Sequence, residues 1–175
     1  MTRNKIAIED FIFKPMAEWD VQGMLLTSGD FMSGHFNAMT VGWGSMGIMW
    51  GLPFMQVVVR PVRYTYQFME KYDTLTVCAF SEIYAPALKL LGNKSGRDGD
   101  KISEAGLTPI ASALVAAPGY AQADLILECR KIYWDDLEKT HFLDPRLEKK
   151  YPAKDYHRSY FGEILAIHGE DKFHI

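Results

Sequence analysis

The sequence has few cysteines and no long apolar run. Its two cysteines, Cys78 and Cys129, are too few for a disulfide framework, and each lies in an apolar stretch typical of a strand, so we expect buried free thiols. No run of 18 apolar residues is present, and the opening segment, which contains Glu9 and Asp10, matches neither a signal peptide nor an anchor. These features favour a reducing, cytoplasmic location and predict no membrane association.

An excess of charge of one sign is also absent. Nineteen Lys and Arg residues oppose 22 Asp and Glu residues, and the net charge of −3 argues against a nucleic-acid-binding protein. The five histidines are scattered without an H-x-x-x-H pair, and no Cys/His spacing predicts a metal site. No nucleophile–base arrangement or specifically spaced carboxylate pair is found. The sequence therefore predicts no side-chain catalyst of the hydrolytic kind.

Apolar and aromatic residues are plentiful, at 48% and 13% of the 175 residues, which is enough for one domain over residues 1–175. Apolar and β-branched runs predict strands at 21–29, 36–46, 54–60, 74–80, 123–134 and 160–170. Amphipathic patterns predict short helices at 63–72, at 84–94 with Gly92 as its end, and at 101–105 between Asp100 as cap and Gly106. Strands outnumber helices without β-α-β alternation, so we predict a mainly β protein, a barrel or sandwich with peripheral helices.

Gly42, Gly44 and Gly47 have the G-x-G-x-x-G spacing of a dinucleotide-binding turn. That turn requires a helix of about a dozen residues after the third glycine, and only three residues separate Gly47 from Gly51. The acidic residue expected about 20 positions later would fall near Gln67, inside a predicted helix. The context therefore argues against a Rossmann unit.

Bare main chain in this glycine-rich segment could instead approach a flat ligand closely. Asn37, Thr40 and Ser45 provide hydrogen-bonding side chains beside it, and Trp43 and Trp50 provide aromatic walls. A planar heterocycle with many polar edge atoms would suit such a loop. A β-hairpin with glycines at its bends is an equal alternative.

A second segment indicates an anion site. Arg63 and Thr65 lie in the first turn of the helix predicted after Arg60-Pro61, where the helix dipole already favours negative charge. A guanidinium, a hydroxyl and free amides together form a phosphate cradle. Alternatively, Arg63 pairs with Glu70 or points to water. The glycine-rich loop 95–101 offers further amides and two basic side chains, or is a plain surface turn.

Four blocks in this order resemble a known family. They are FNAMTVGWGSMGIMWGLP, VVVRPVRYTYQFMEK, SGRDGDK and DYHRSYFGEI, spread from residue 36 to residue 164. Together they resemble the flavin reductase-like proteins with an FMN-binding split β-barrel, and within them the flavoredoxin-type branch.

The resemblance implies a homodimer that binds FMN at the barrel surface near the subunit boundary. It implies isoalloxazine contacts from Asn37, Met39, Thr40, Val41, Gly42, Trp43 and Ser45. It implies phosphate contacts from Arg60, Arg63 and Thr65, with Tyr64 adjacent. It assigns the ribityl chain and phosphate also to Ser95, Gly96, Arg97, Asp98 and Lys101. It brings Tyr160 near the flavin, and His157 and Arg158 near the nicotinamide side.

The implied activity is a flavoprotein reductase in which NAD(P)H gives hydride to bound FMN and electrons pass to an acceptor. That acceptor could be a free flavin, a protein or a small oxidant. The alternative is a flavoredoxin-like FMN electron carrier without nicotinamide activity. A haem-binding split barrel is disfavoured, because haem carries no phosphate for the Arg60–Thr65 cradle. The sequence assigns no role to residues 135–156 and does not distinguish NADH from NADPH.

Overall fold

The computed structural model of the chain describes residues 2–20 and 23–175. Ten strands occur in these ranges: β1 (Asn4–Ile6), β2 (Met24–Asp30), β3 (His35–Val41), β4 (Gly44–Met49), β5 (Leu52–Val59), β6 (Thr74–Ala79), β7 (Pro109–Ile110), β8 (Gly119–Tyr120), β9 (Leu125–Asp136) and β10 (Arg158–Gly169). The α-helices there are α1 (Pro15–Asp20), α2 (Tyr64–Lys71), α3 (Ala85–Asn93), α4 (Lys101–Glu104) and α5 (Pro145–Glu148). Val21 and Gln22, which begin the first predicted strand, lie outside the described residues.

One antiparallel sheet organises the fold. Its order is β3-β2-β6-β9-β10-β5-β4, and β1 adds to β10. Strand β10 pairs with β9 along one edge; along the other, Arg158–Glu163 pairs with β5 and Ile167–Gly169 with β1. Two register shifts interrupt the β9–β10 ladder, and such bulges bend a strand. The sheet therefore divides at β10 into two arms that curl around one core.

The core consists of side chains that alternate along the strands. The inner faces of β2, β5, β6, β9 and β10 share one apolar cluster, which includes Met24, Leu26, Met55, Val57, Leu75, Val77, Leu127 and Ile164. The opposite face of β2, β3 and β6 packs beneath α3, α4 and β8 in a second cluster, which includes Leu25, Ala38, Cys78, Leu88, Leu91, Ile102 and Tyr120. The predicted mainly β fold, a barrel with peripheral helices, is confirmed.

The strand predicted over 36–46 is two strands. Gly42 and Trp43 separate β3 from β4, so the chain turns away from β2 at this point. Strands β4 and β5 are joined at Trp50 and Gly51, whose φ angles of 55° and 73° form a two-residue hairpin loop. Pro53 itself belongs to β5, opposite Ile48. The hairpin alternative for this segment is thus correct for β4 and β5.

The prediction that Gly92 ends a helix is wrong. Helix α3 runs through Gly92 to Asn93, and a Cβ atom at Gly92 would lie 3.3 Å from Cβ of Thr40. The glycine therefore allows close packing of α3 against β3. The predicted limits of α4 are confirmed, because the Asp100 carboxylate accepts a hydrogen bond from the Ser103 amide at 3.1 Å and Gly106, just beyond the helix, has a φ of 69°.

Cys78 and Cys129 are buried free thiols, as predicted. Burial raises the pKa of the Cys78 thiol to about 12, and it raises the pKa of Cys129 as well, so neither is a reactive thiolate near neutral pH. In residues 2–20 and 23–175, no helix has the length and apolar character needed to cross a bilayer.

Candidate functional site

A cavity of about 240 Å³ opens where the chain leaves β3. We call it the ring cavity. It is lined by Met39, Thr40, Val41, Gly42, Trp43, Val58, Arg60, Arg63 and His157. Three of the four sequence blocks thus meet in one place, because the curled sheet brings the ends of β3 and β5 and the start of β10 together.

Main chain of β3 is the part of this strand best placed to contact a ligand. Met39 and Val41 bury their side chains in the barrel core, and the Thr40 hydroxyl donates a hydrogen bond to the Leu88 carbonyl oxygen at 2.5 Å. Strand β3 is the end strand of the described sheet, so its free edge presents backbone N–H and C=O groups. A flat ligand with polar edge atoms could pair with them.

Trp43 and His157 form an aromatic wall of the ring cavity. Their ring centroids lie 5.0 Å apart, and the His157 Nδ1 atom is 2.8 Å from the Tyr151 hydroxyl. Burial, followed by the charge of Arg60, lowers the pKa of His157 to about 4, although Asp155 acts in the opposite direction. His157 is therefore neutral near pH 7, and this wall is polar but uncharged.

A second cavity, of about 180 Å³, adjoins the first at Arg63. We call it the anion cavity. It is lined by Val62, Arg63, Tyr64, Thr65, Asn93, Lys94, Ser95, Gly96, Arg97 and Lys101. Helix α2 begins here with no side-chain cap at its N-terminus and no acidic residue in its first turn. Backbone N–H groups at the start of a helix bind anions readily, so this surface depression is where the predicted phosphate cradle would lie.

Arg63 and Lys101, two of the cations that line the anion cavity, lack an acidic partner among the described residues, whereas Lys94 pairs with Glu104. Buried Lys101 donates hydrogen bonds to the carbonyl oxygens of Leu91 at 3.0 Å and Lys94 at 2.9 Å, and Arg63 donates to that of Gly92 at 2.5 Å. Burial and then the charge of Arg63 lower the pKa of Lys101 to about 8, and burial followed by Arg60 lowers that of Arg63. Among the described residues neither cation forms a salt bridge.

Asn37 holds the walls of the site together. It is buried, and its Nδ2 atom donates a hydrogen bond to the Thr65 hydroxyl at 2.7 Å. A Cβ atom at Gly96 would lie 2.2 Å from Asn37 Oδ1, so the loop 95–101 can approach β3 only with glycine at this position. Asn37 thus joins β3, α2 and the loop, and it lines neither of the two cavities.

Four further predicted residues also lie outside both cavities. The Ser45 hydroxyl donates to Gln56 at 2.5 Å, and the Tyr160 hydroxyl, at the edge of the barrel core, donates to Glu70 at 2.5 Å. Asp98 lies in an exposed turn, and Arg158 forms ion pairs with Asp136 and Glu70. Their contact with a flavin or nicotinamide stays a prediction.

Some residues at the site were missed from the sequence. Val58 lines the ring cavity, and Val62, Asn93 and Lys94 line the anion cavity. Val58 and Val62 lie inside the second recognised block, and Asn93 and Lys94 directly precede the third, so sequence position is the signal that could have found them. A larger depression of about 740 Å³ lies beyond Asn37 and Tyr64, with His35 and Phe68 among its walls. No residue of the segment 39–43 borders it.

A family model for the flavin reductase like domain matches residues 22–173. The chain belongs to the flavin reductase-like family. The resemblance found in the four sequence blocks is thereby confirmed. A search of curated proteins finds no match to this flavin reductase-like chain.

Solved structures with the same fold include flavoproteins of several kinds. A flavoredoxin from Methanosarcina acetivorans is 22% identical, with 100% of this chain and 77% of that chain covered and a TM-score of 0.66. An FMN-binding domain of a flavin reductases-like enzyme from Shewanella baltica OS155 is 16% identical, with coverages of 98% and 80% and a TM-score of 0.66. An NADH:FAD oxidoreductase from Streptomyces globisporus C-1027, in complex with NAD and FAD fragments, is 15% identical, with coverages of 83% and 73% and a TM-score of 0.62. These likenesses show a shared split-barrel fold.

The two cavities of this flavin reductase-like chain suit the two ends of FMN. The ring cavity, with a free strand edge and an aromatic wall, matches a planar isoalloxazine ring. Of the two arginines that line it, Arg60 is paired with Asp155 and Arg63 stands at the border with the anion cavity. The anion cavity, with unpaired Arg63 and Lys101 at the start of α2, matches a phosphate group. Arg63 borders both, so one ligand could extend from the first to the second. The residues present therefore fit this cofactor.

If the anion cavity binds a phosphate, Lys101 should give that binding a measurable pH dependence. Its folded pKa of about 8 lies below its ordinary value of 10.5, so the free protein loses this charge as the pH rises through 8. A phosphate beside Lys101 would raise its pKa, and binding then requires uptake of a proton above pH 8. We expect the affinity for FMN to fall by up to about tenfold per pH unit from pH 8 upward.

This dependence should be measured by fluorescence titration with FMN and with riboflavin between pH 6.5 and 9.5. Riboflavin, which has no phosphate, serves as the control and should show a much flatter profile. Lys101→Met should remove the difference between the pH profiles of the two ligands. Parallel pH profiles for both ligands in the unmodified protein would contradict the assignment of Lys101 to the phosphate.

Proposed function

We propose that this chain is an FMN-binding flavoprotein reductase that takes hydride from NAD(P)H and passes electrons to an acceptor. The observation that carries the proposal is the junction at Arg63, where a cavity with an aromatic wall and a free strand edge meets a cationic cavity for a phosphate. The FMN-binding and NADH-dependent proteins with the same fold give further support. The acceptor would be a free flavin, a protein or a small oxidant.

The side chains and backbone groups of this protein would bind and orient FMN. Arg63, Lys101, Thr65 and the first amides of α2 would hold the phosphate, with the loop 95–101 beside the ribityl chain. The free edge of β3 would contact the polar edge of the ring. Bound FMN would supply the capacity to accept a hydride and release electrons, so no catalytic acid or base is required of the protein.

His157 and Trp43 would shape the face on which a nicotinamide approaches. Hydride transfer needs the two rings within about 3–3.5 Å, which demands an accessible ring face. A neutral His157 suits this position, because a charged imidazolium would bring a desolvation cost beside an apolar ring.

The proposal includes a homodimer, with residues 1–175 as one domain. Support comes from exposed apolar residues at the tip of β4–β5 and the end of β9. Trp50 and Tyr133, whose ring centroids lie 5.6 Å apart, are 61% and 46% exposed, and Ile48 of the same hairpin is 70% exposed, which is unusual for such large side chains. A self-complementary contact through this surface would cover them.

A flavoredoxin-like electron carrier is the second candidate function. The observation that favours it is the likeness to the flavoredoxin from Methanosarcina acetivorans over the whole of this chain. A carrier would use the same two cavities but would exchange electrons with a protein and would not bind a nicotinamide.

An anaerobic absorption experiment tests the proposal and separates the two functions. The purified protein, loaded with FMN and freed of excess ligand, should show the oxidised-flavin bands and lose them within seconds of NADH or NADPH addition. Free FMN under the same conditions is the control for uncatalysed reduction. Slow bleaching by both nucleotides, with rapid reduction by a protein donor, would favour the carrier. Failure to retain FMN would contradict both functions.

A further inference from the structure

The stretch 135–156, to which the sequence assigned no role, is attached near its end to Arg60, the residue that follows β5. The Arg60 Nη1 atom donates hydrogen bonds to both carboxylate oxygens of Asp155, at 2.8 and 2.9 Å. Its Nη2 atom donates to the Lys150 carbonyl oxygen at 2.8 Å, and its guanidinium lies 4.9 Å from the centre of the Tyr151 ring. One side chain thus engages a charge, a backbone oxygen and an aromatic face of the same segment.

Tyr151 connects these Arg60 contacts to the ring cavity. Its ring is buried, lies beside those of Phe142 and Tyr156 at centroid distances of 5.7 and 4.9 Å, and so forms the small core of the segment. Its hydroxyl lies 2.8 Å from Nδ1 of His157, which in turn contacts Trp43. A continuous set of contacts therefore runs from Arg60 through Tyr151 to the wall of the ring cavity.

We propose that Arg60, Asp155 and Tyr151 form a latch that holds residues 150–157 beside the ring cavity and positions His157 against the bound ring. The inference rests on the proposed function and deepens it, because it assigns a positioning residue to each end of the latch. Under this assignment Arg60 serves the ring end of the ligand, whereas Arg63 and Lys101 serve the phosphate.

The charge balance of Arg60 supports this division. Its guanidinium is neutralised by Asp155, whose side chain is only 13% exposed, so release of Arg60 toward a phosphate would leave a partly buried carboxylate unpaired. In the described parts of the chain, Arg63 and Lys101 have no carboxylate partner from which they would have to be released. A phosphate therefore finds its cations at lower cost in the anion cavity than at Arg60.

Binding of FMN and of riboflavin by latch variants tests the proposal. Arg60→Ala and Asp155→Ala should each lower the affinities for FMN and for riboflavin to a similar extent, by about tenfold, because either change removes the charge-assisted contact between Arg60 and Asp155. The double variant should be no worse than either single variant, because both remove the same latch. Arg146→Ala, which breaks an exposed ion pair with Asp144 in the same segment, is the matched control and should bind both ligands normally.

The opposing result is equally specific. If Arg60→Ala weakens FMN far more than riboflavin, while Asp155→Ala changes neither, Arg60 is a phosphate ligand and the latch is wrong. Additive effects in the double variant would also overturn it.

A flavin-free measurement keeps the latch separate from the proposed function. The groups that face His157 are Arg60, Arg63 and Asp155 by charge, Tyr151 by hydrogen bond and Trp43 by ring contact. Asp155 by itself raises the pKa of His157, so its removal without any movement should lower that pKa below about 4. If the latch opens, His157 becomes hydrated and its pKa should rise toward the ordinary value of 6.5.

NMR titration of His157 in the Asp155→Ala variant therefore distinguishes the two cases, because the pKa of His157 should rise if the latch opens and fall if it stays closed. A rise, together with faster amide exchange in residues 150–157, supports the latch even if FMN does not bind. A fall, with unchanged exchange, overturns it.

Discussion

Arg63→Ala should weaken FMN binding by about 100-fold and riboflavin binding by less than about threefold. Arg63 is half-buried, has no carboxylate partner among the described residues and stands at the junction of the ring and anion cavities. Its guanidinium can donate to a phosphate oxygen, and such charge-assisted hydrogen bonds are about twice as strong as neutral ones. Riboflavin carries the same ring without the phosphate and therefore isolates this contribution. Fluorescence titration at fixed ionic strength measures both affinities.

Arg130→Ala is the matched control for the change of net charge. Arg130 is exposed on β9 and pairs with Glu163 at 2.6 Å, and it borders neither the ring nor the anion cavity. Both ligands should bind this variant as they bind the unmodified protein. Equal losses of FMN and riboflavin in Arg63→Ala would remove Arg63 from the phosphate site and would weaken the proposal that the anion cavity binds phosphate.

Gly29→Ala should lower the free energy of unfolding by about 3–5 kcal/mol. Gly29 lies in β2 opposite Phe36 of β3, with a φ of 135° that side chains rarely tolerate. A Cβ atom here would lie 2.3 Å from the Phe36 Cα atom and 2.4 Å from the His35 carbonyl oxygen. Both are backbone atoms, so neither can rotate aside. Urea denaturation followed by circular dichroism measures the loss.

Gly34→Ala provides the comparison within the same hairpin. Gly34 also has a positive φ, 69°, but nothing lies within 4 Å of a Cβ atom built on it. An alanine here would cause only backbone strain, so the free energy of unfolding should fall by about 1 kcal/mol. If the two variants lost the same stability, close approach of β2 and β3 at Gly29 would not be the cause.

Local patterns in the sequence predicted most of the regular elements. Apolar and β-branched runs located β5, β6, β9 and β10, and an amphipathic pattern in which Tyr64, Phe68 and Tyr72 recur every four residues located α2. Elements whose formation depends on distant partners were not predicted. Strand β1 has only three residues and exists through its pairing with the end of β10, and the two-residue strands β7 and β8 pair only with each other. Gly92 was misjudged because its reason, the nearby Thr40 side chain, belongs to another element.

The candidate site was likewise predicted where its motifs are local and missed where its contacts join distant residues. The segment 39–43 and the turn around Arg63 and Thr65 were recognisable, because short motifs with free main chain and an uncapped basic helix start have local signatures. The pairing of Arg60 with Asp155 joins residues 95 positions apart, and no periodicity reveals it. The interior position of Tyr160 likewise follows from the direction of β10 in the barrel, which the sequence does not state.

The pairing of β10 with three other strands also has a consequence for folding during synthesis. Strands β1 and β5 are synthesised early, yet each must wait for residues 158–169 before one of its edges finds a partner. Unpaired strand edges and exposed apolar faces promote association between incomplete chains. Until residues 158–169 have paired, β1 and one edge of β5 stay open to such association, and folding through pairings this distant in sequence should be slow.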